Sequence, residues 1–263
     1  MDISHPVVPA GLRHETTAGG IAVLTIDRPE RRNAIDKATA QAISDALDAV
    51  DADDAVRVAV ITGAGGTFSA GMDLKALDAT GERPIVEGRG QFGICRRPPE
   101  KPLIAAVEGA ALGGGTEIAL AADVIVAAED AVFGLPEVKL GLAAAAGGAI
   151  RLPRRIPYGL AVEHVLTGRP LPAPRAHELG LVNHLTASGG ALEVAMRIAK
   201  EIAGNAPLGV RLSKQVMLQA QDVSVEEAFR LQEPLMQVIR SSQDAAEGAR
   251  AFVEKRPAVW QGR

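Results

Sequence analysis

The sequence predicts an α/β fold. Short β-branched runs alternate with helix-period segments through the first two-thirds of the chain. Glycine or proline bounds most of those runs. The final third carries amphipathic helical stripes and few strands. With 263 residues, 47% of them hydrophobic, the chain can form one large domain, or a core domain with a small appendage.

Taken in order, a candidate strand near 12–16 and a clear one at 21–26 flank Gly19-Gly20 and are expected to form a hairpin. Arg28-Pro29-Glu30 ends the second strand. Ile43, Leu47 and Val50 recur at helical spacing, which predicts a helix over 37–53. Residues 56–62 read as a buried strand that stops at Gly63-Ala64-Gly65-Gly66. Residues 103–107 form another, set between Pro102 and Glu108-Gly109. A helix is expected over 116–121, after Gly113-Gly114-Gly115, and a strand over 123–128.

Strands thin out after about Gly147. Leu192, Ala195, Met196, Ala199 and Ile202 lie on one helical face. Ser224 with Glu227 forms a candidate capping box for a helix striped by Ala228, Leu231, Leu235 and Ile239. Pro234 is expected to kink or break that helix. A last helix is expected over 244–255. These stripes need partner surfaces, either the chain's own core or another subunit; the sequence favours neither.

Charge and cysteine usage exclude several classes. Lys plus Arg is 28, Asp plus Glu is 32, and the net charge is −4. One Trp, one Tyr and no long basic run argue against nucleic acid as a partner. The lone Cys95 permits neither an intrachain disulfide nor a cysteine metal cluster, fits a reducing compartment, and reads as a small core residue. His164, His177 and His184 lack a zinc-ligand spacing, and His5 and His14 lie near the terminus. Residues 1–11 do not read as a signal peptide, and no apolar run reaches the ~18 residues of a membrane span. The expectation is a cytoplasmic protein with no metal and no membrane or nucleic-acid partner.

Three segments carry candidate chemistry. In Ala110-Ala111-Leu112-Gly113-Gly114-Gly115-Thr116-Glu117, glycines at a strand-to-helix junction let backbone N–H groups approach a ligand. Such donors suit an oxygen that gains charge in a transition state. A glycine run can equally be a plain tight turn, and Glu117 a helix-dipole partner. Thr67-Phe68-Ser69-Ala70-Gly71-Met72-Asp73-Leu74 follows a buried strand, where α/β folds place ligand loops; it can also be a simple connection. Phe133-Gly134-Leu135-Pro136-Glu137 brings a second carboxylate. Two carboxylates on one water can share general base and acid work, although each Glu alone reads as a solvated surface group. Gly63-Ala64-Gly65-Gly66 lacks the dinucleotide fingerprint, there is no Walker-type lysine, and Ser69 lacks a nucleophile elbow.

Together these segments resemble the crotonase, or enoyl-CoA hydratase-isomerase, superfamily over 21–263. Arg28-Pro29-Glu30-Arg31-Arg32-Asn33-Ala34 looks like its CoA-contacting loop, and Phe68 to Leu74 like its first oxyanion segment. The stretch from Lys101-Pro102 to Glu117 looks like the second such segment, Leu135-Pro136-Glu137 like the second catalytic carboxylate, and Ala251-Phe252-Val253-Glu254-Lys255-Arg256 like the motif near the CoA nucleotide. Within the superfamily, Leu135 to Gly141, Arg151-Leu152-Pro153 and the C-terminal ending most resemble the carnitinyl-CoA dehydratase branch.

The resemblance implies a crotonase fold, with a repeated ββα spiral core over 1–200 and a C-terminal helical trimerisation region over 201–263. It implies catalysis by Glu117 and Glu137, with the N–H groups of Met72 and Gly114 as oxyanion hole. It implies substrate contacts from Arg32, Ala34, Ala70, Gly71, Asp73, Leu74, Leu112, Gly113, Pro136, Phe252 and Lys255. Coenzyme A would arrive as part of the substrate, with no permanently bound cofactor. The assembly would be a homotrimer or a dimer of trimers. Retention of both glutamates favours adding or removing water over isomerising an enoyl-CoA, the nearest rival reaction. A non-catalytic CoA- or macromolecule-binding role is a further alternative, and a hydrolase a remote one. One departure stands out: Leu142-Ala143-Ala144-Ala145-Ala146 replaces the family's usual Pro-Gly pair beside Glu137, which leaves room for a larger acyl pocket.

Overall fold

The computed structural model describes residues 11–263; the signal-peptide reading of the N-terminus and His5 fall on residues outside that range. β1 (Leu12–Thr16) and β2 (Ile21–Ile26) form the expected antiparallel hairpin. α1 (Lys37–Ala52) follows, with Asp36 accepting the Thr39 N–H as its cap and Ile43, Leu47 and Val50 buried. β3 (Val58–Gly63), α2 (Leu74–Thr80) and a small ladder of β4 (Ile85–Val86) with β5 (Gly90–Gln91) come next. Then come β6 (Leu103–Val107), β7 (Ala110–Leu112), α3 (Gly114–Ala121), β8 (Val124–Ala128) and β9 (Val132–Gly134). α4 (Gly148–Arg155), α5 (Tyr158–Thr167), β10 (Leu171–Pro172), α6 (Ala173–Glu178) and β11 (His184–Thr186) lead to the C-terminal helices. Those are α7 (Ala191–Ala203), α8 (Pro207–Gln219), α9 (Val225–Arg240) and α10 (Gln243–Glu254).

The main sheet has the order β1-β2-β3-β6-β8-β11, parallel from β2 onward. A second sheet has the order β10-β9-β7. Single bridges extend its line: Ser69 pairs with Ala111 and Ile35 with Met72. Successive turns thus give one strand to the main sheet and one shorter segment to the second, and then close with a helix. This is the expected ββα spiral.

The period-two alternation of β3 sorts its side chains onto two cores. Ala59 and Ile61 join the large core with α1 and α3. Val58 and Val60 join a smaller one covered by Ala191, Ala195 and Ala199 of α7.

Two expectations change. α9 is not broken at Pro234; it runs unbroken from Val225 to Arg240. Pro234 costs the helix its own N–H and crowds the carbonyl one turn back, and the Ser224 cap and the remaining ladder carry the helix through it. The expected face of α7 does meet the sheet, along Ala191, Ala195 and Ala199 with Val194, Met196, Ile198 and Ile202 flanking, and leaves Leu192 at its edge, 37% exposed. Ser224 does cap α9 by accepting the Glu227 N–H, but the Glu227 carboxylate turns to Arg230 instead of closing the box. No described helix is long and apolar enough to cross a membrane.

Candidate active site

Asn33 is the buried hub of the loops that build the site. Its side chain accepts the Arg28 N–H and donates to the carbonyls of Ala64 and Thr67. Its own carbonyl accepts the Ser69 hydroxyl at 2.7 Å. Beside it Arg28 pairs with Asp36 at 2.9 Å and Asp73 at 3.1 Å. Asp73 also caps α2 by accepting the Ala76 N–H. Burial works against its negative charge, yet the Ala76 N–H and Arg28 outweigh it and hold the carboxyl below the usual range.

These bonds consume the N–H groups around Met72. Ala70 donates to Arg32 O, Gly71 to Ser69 Oγ and Asp73 to Ile35 O. Among the described residues, the N–H groups of Met72 and Gly114 have no hydrogen-bond partner. Gly71 brings the two loops together. At φ +86°, an added Cβ would lie 2.7 Å from Leu112 O and 2.8 Å from Gly114 N. Gly114 opens α3 against the Phe92 ring, which an added Cβ would overlap.

Two carboxylates face these donors. Glu117, on the fully buried α3, accepts the N–H groups of Ala146 and Gly148 through Oε1, at 2.8 and 2.9 Å. Burial is the main force on its pKa and, with the nearby Glu137 charge, pushes it up to about 7 against the pull of those two bonds. Glu137 sits on a 3₁₀ turn begun by Pro136. Its Oε2 is buried with no partner among the described residues, and burial raises its pKa. Both groups therefore have a raised proton affinity, as general acid–base work near neutral pH requires.

The carboxylates open on a cavity of about 270 Å³. Ala70, Met72, Leu74, Gly113, Gly114, Glu117, Pro136 and Glu137 line it, all expected from the sequence. Apart from the glutamates, Arg83 and Gln91, the lining is apolar or glycine. Among the described residues, no group of three or more His, Cys, Asp and Glu side chains is placed to hold a metal ion.

Residues 16–263 match the family described as enoyl-CoA hydratase/isomerase. The chain belongs to that family. It is 42% identical over 258 residues to a carnitinyl-CoA dehydratase of Salmonella typhi, covering 95% of this chain and 98% of that one. A solved enoyl-CoA hydratase from Mycobacterium tuberculosis H37Rv superposes with a TM-score of 0.93 at 50% identity, covering 96% of this chain and 99% of the other. One from Bacillus anthracis gives 0.88 at 32% identity, covering 97% and 100%.

Other residues expected from the family resemblance fall outside the cavity. Gly71, Asp73 and Leu112 stand behind its wall in the two loops. Arg32 and Ala34 lie on the loop before α1, with Arg32 exposed at φ 51°. Phe252 lies on α10, 86% exposed, and Lys255 caps that helix; neither reaches the cavity.

Sequence reasoning missed Phe92, Asn33 and the Ala146 and Gly148 donors. Phe92 sits in a glycine-rich stretch without periodicity, at φ 58°, so no pattern marked it. The Ala146 and Gly148 amides lie 29 and 31 residues beyond Glu117, and no local pattern marked them as its partners.

Proposed function

We propose that the protein is an enoyl-CoA hydratase or 3-hydroxyacyl-CoA dehydratase, moving water across the 2,3 bond of an acyl-CoA thioester. The observation that carries this reading is the pairing of two desolvated carboxylates with two unpartnered N–H groups around one apolar cavity.

In hydration, the Met72 and Gly114 N–H groups bind the thioester oxygen, which draws electrons from Cβ and stabilises the enolate. Glu117 and Glu137 hold the water. One carboxylate takes a water proton while the oxygen bonds to Cβ, and the other, protonated, gives its proton to Cα. Dehydration runs the same steps in reverse. The site holds one shared proton before and after, so no cofactor is needed and coenzyme A enters as part of the substrate. Arg32, Ala34, Phe252 and Lys255 belong to the CoA-contacting surface.

Residues 1–200 form the catalytic core and 201–263 the assembly region of a homotrimer or dimer of trimers. Exposed apolar side chains on the last two helices support this, including Val225, Phe229 and Val253, each at least 64% exposed. The place of action is the cytoplasm.

Turnover of crotonyl-CoA, followed by loss of the conjugated thioester's absorbance, tests the reading. Glu117→Gln and Glu137→Gln should each cut the rate by roughly 10²- to 10⁴-fold. A product with a shifted double bond and no added water would point to isomerisation. Silence on a broad enoyl-CoA panel would end the hydratase reading.

A further inference from the structure

A second cavity, of about 950 Å³, adjoins the first. The two meet at Gln91, Ala145 and Ala146, which line both. Their common edge is thus two alanine methyls and one flexible amide. Ala146 also donates to Glu117, so that edge adjoins the carboxylate of the first cavity. The alanine run makes a low sill where larger side chains would make a wall.

The second cavity is cationic. Arg96, Arg151, Arg154, Arg155 and Lys214 line it, against Asp123 and Asp222. Both carboxylates are engaged: Asp123 by Lys214 at 2.7 Å, and Asp222 by Arg154 at 3.0 Å. Among the described residues, no carboxylate is ion-paired with Arg96, Arg151 or Arg155. Arg151 donates to Cys95 O and Arg155 to Ala122 O, both at 2.7 Å, so each keeps further donors. Arg155 is partly buried and its pKa is lowered by desolvation, a cost that an anion beside it would relieve.

We infer that the acyl chain passes over the Ala145–Ala146 sill and that the second cavity binds a carboxylate at its far end. The preferred substrates are then ω-carboxylated enoyl-CoA or 3-hydroxyacyl-CoA thioesters. This rests on the hydratase reading and adds the substrate class. A carboxylate leaving water needs several charged donors, and guanidinium groups without carboxylate partners supply them in a planar, bidentate form. A methyl-ended chain of equal length would cover those guanidiniums and give nothing back.

The test uses the full chain and pairs of trans-2-enoyl-CoA esters of equal, increasing length, ending in carboxylate or methyl. Crotonyl-CoA, which has a short acyl chain and no ω-carboxylate, is the baseline. At the best length kcat/KM should favour the carboxylate by roughly tenfold, the scale of a charge-assisted hydrogen bond. Arg96→Gln with Arg155→Gln, which leaves Arg151 in place, should cut that preference severalfold and leave crotonyl-CoA turnover unchanged. Arg96→Gln alone, at an exposed side chain, should reduce the preference, so the test survives if the double variant fails to fold. A carboxylate-to-methyl ratio of one or less at every length, with crotonyl-CoA turned over, overturns the inference and leaves the hydratase reading standing. A ratio unchanged in the folded double variant also overturns it. No turnover of any ester, crotonyl-CoA included, removes the hydratase reading beneath it.

Discussion

Glu117 Oε1 accepts the Ala146 N–H at 2.8 Å, which ties a buried carboxylate to the alanine run beside the site. The bond favours the ionised form, burial favours the neutral form, and burial prevails, with a pKa of about 7.

That balance sets a pH dependence of stability. The folded pKa is raised from 4.5 to about 7, so the folded chain holds this proton where the unfolded chain has released it. The group's stabilising contribution is full below about 4.5 and is lost as pH rises toward 7. Glu117→Gln should therefore be more stable than the parent at pH above 7, by at most about 3 kcal/mol, since each tenfold change in proton affinity is worth about 1.36 kcal/mol. The gain should vanish at the acid end, below the unfolded pKa. Urea unfolding on both sides of the window checks it.

Activity should follow a bell-shaped pH profile that belongs to the carboxylate pair rather than to either residue. Its acid limb marks the second proton entering the pair. Glu137→Gln removes a like charge, so the titration of Glu117 should move to lower pH, read by carboxyl NMR or infrared spectroscopy.

Gly114→Ala should lower kcat by about 10²- to 10³-fold, the scale of losing one oxyanion donor. The new methyl must displace the Phe92 ring or the N–H that would hold the thioester oxygen. Adding Phe92→Ala should restore part of the rate if the ring is what forces the donor aside. Steady-state kinetics on crotonyl-CoA, with far-ultraviolet circular dichroism as a fold control, reads both variants.

Asn33→Ala should cost about 1–3 kcal/mol, because it removes the partner of the partly buried carbonyls of Ala64 and Thr67 and of the Arg28 N–H. Released from the hub, the Met72 loop should also lose its alignment with Gly114, lowering kcat. Thermal unfolding and kinetics measure the two effects.

Lys255→Ala should raise KM for a CoA ester with little change in kcat, and leave KM for the matching pantetheine ester untouched. That outcome follows from placing Lys255 at the nucleotide, since the residue lies outside the acyl cavity. Equal effects on both esters would remove it from that role.

The chain's strongest periodic signals translated directly. Ile43, Leu47 and Val50 fixed the buried face of α1, and Gly19-Gly20 fixed the hairpin, because both rest on local chemistry. The stripe of α7 named the face that packs but not the line of contact, Ala191, Ala195 and Ala199, because periodicity gives a face and not its register on a sheet. The helix runs unbroken through Pro234 because the loss of one donor and a local crowding are outweighed by the rest of the α9 ladder and its cap.

By itself the sequence determined the α/β alternation, the two glycine loops and both glutamates, since each is written in neighbouring residues. Only the tertiary structure decided that Glu117 and Glu137 open on one cavity, that the Met72 and Gly114 amides stay unpartnered among the described residues, and that Phe92 and Ala146 line the same cavity. The pKa values were decided there too, because burial and the approach of a distant charge arise from contacts between residues far apart in the chain.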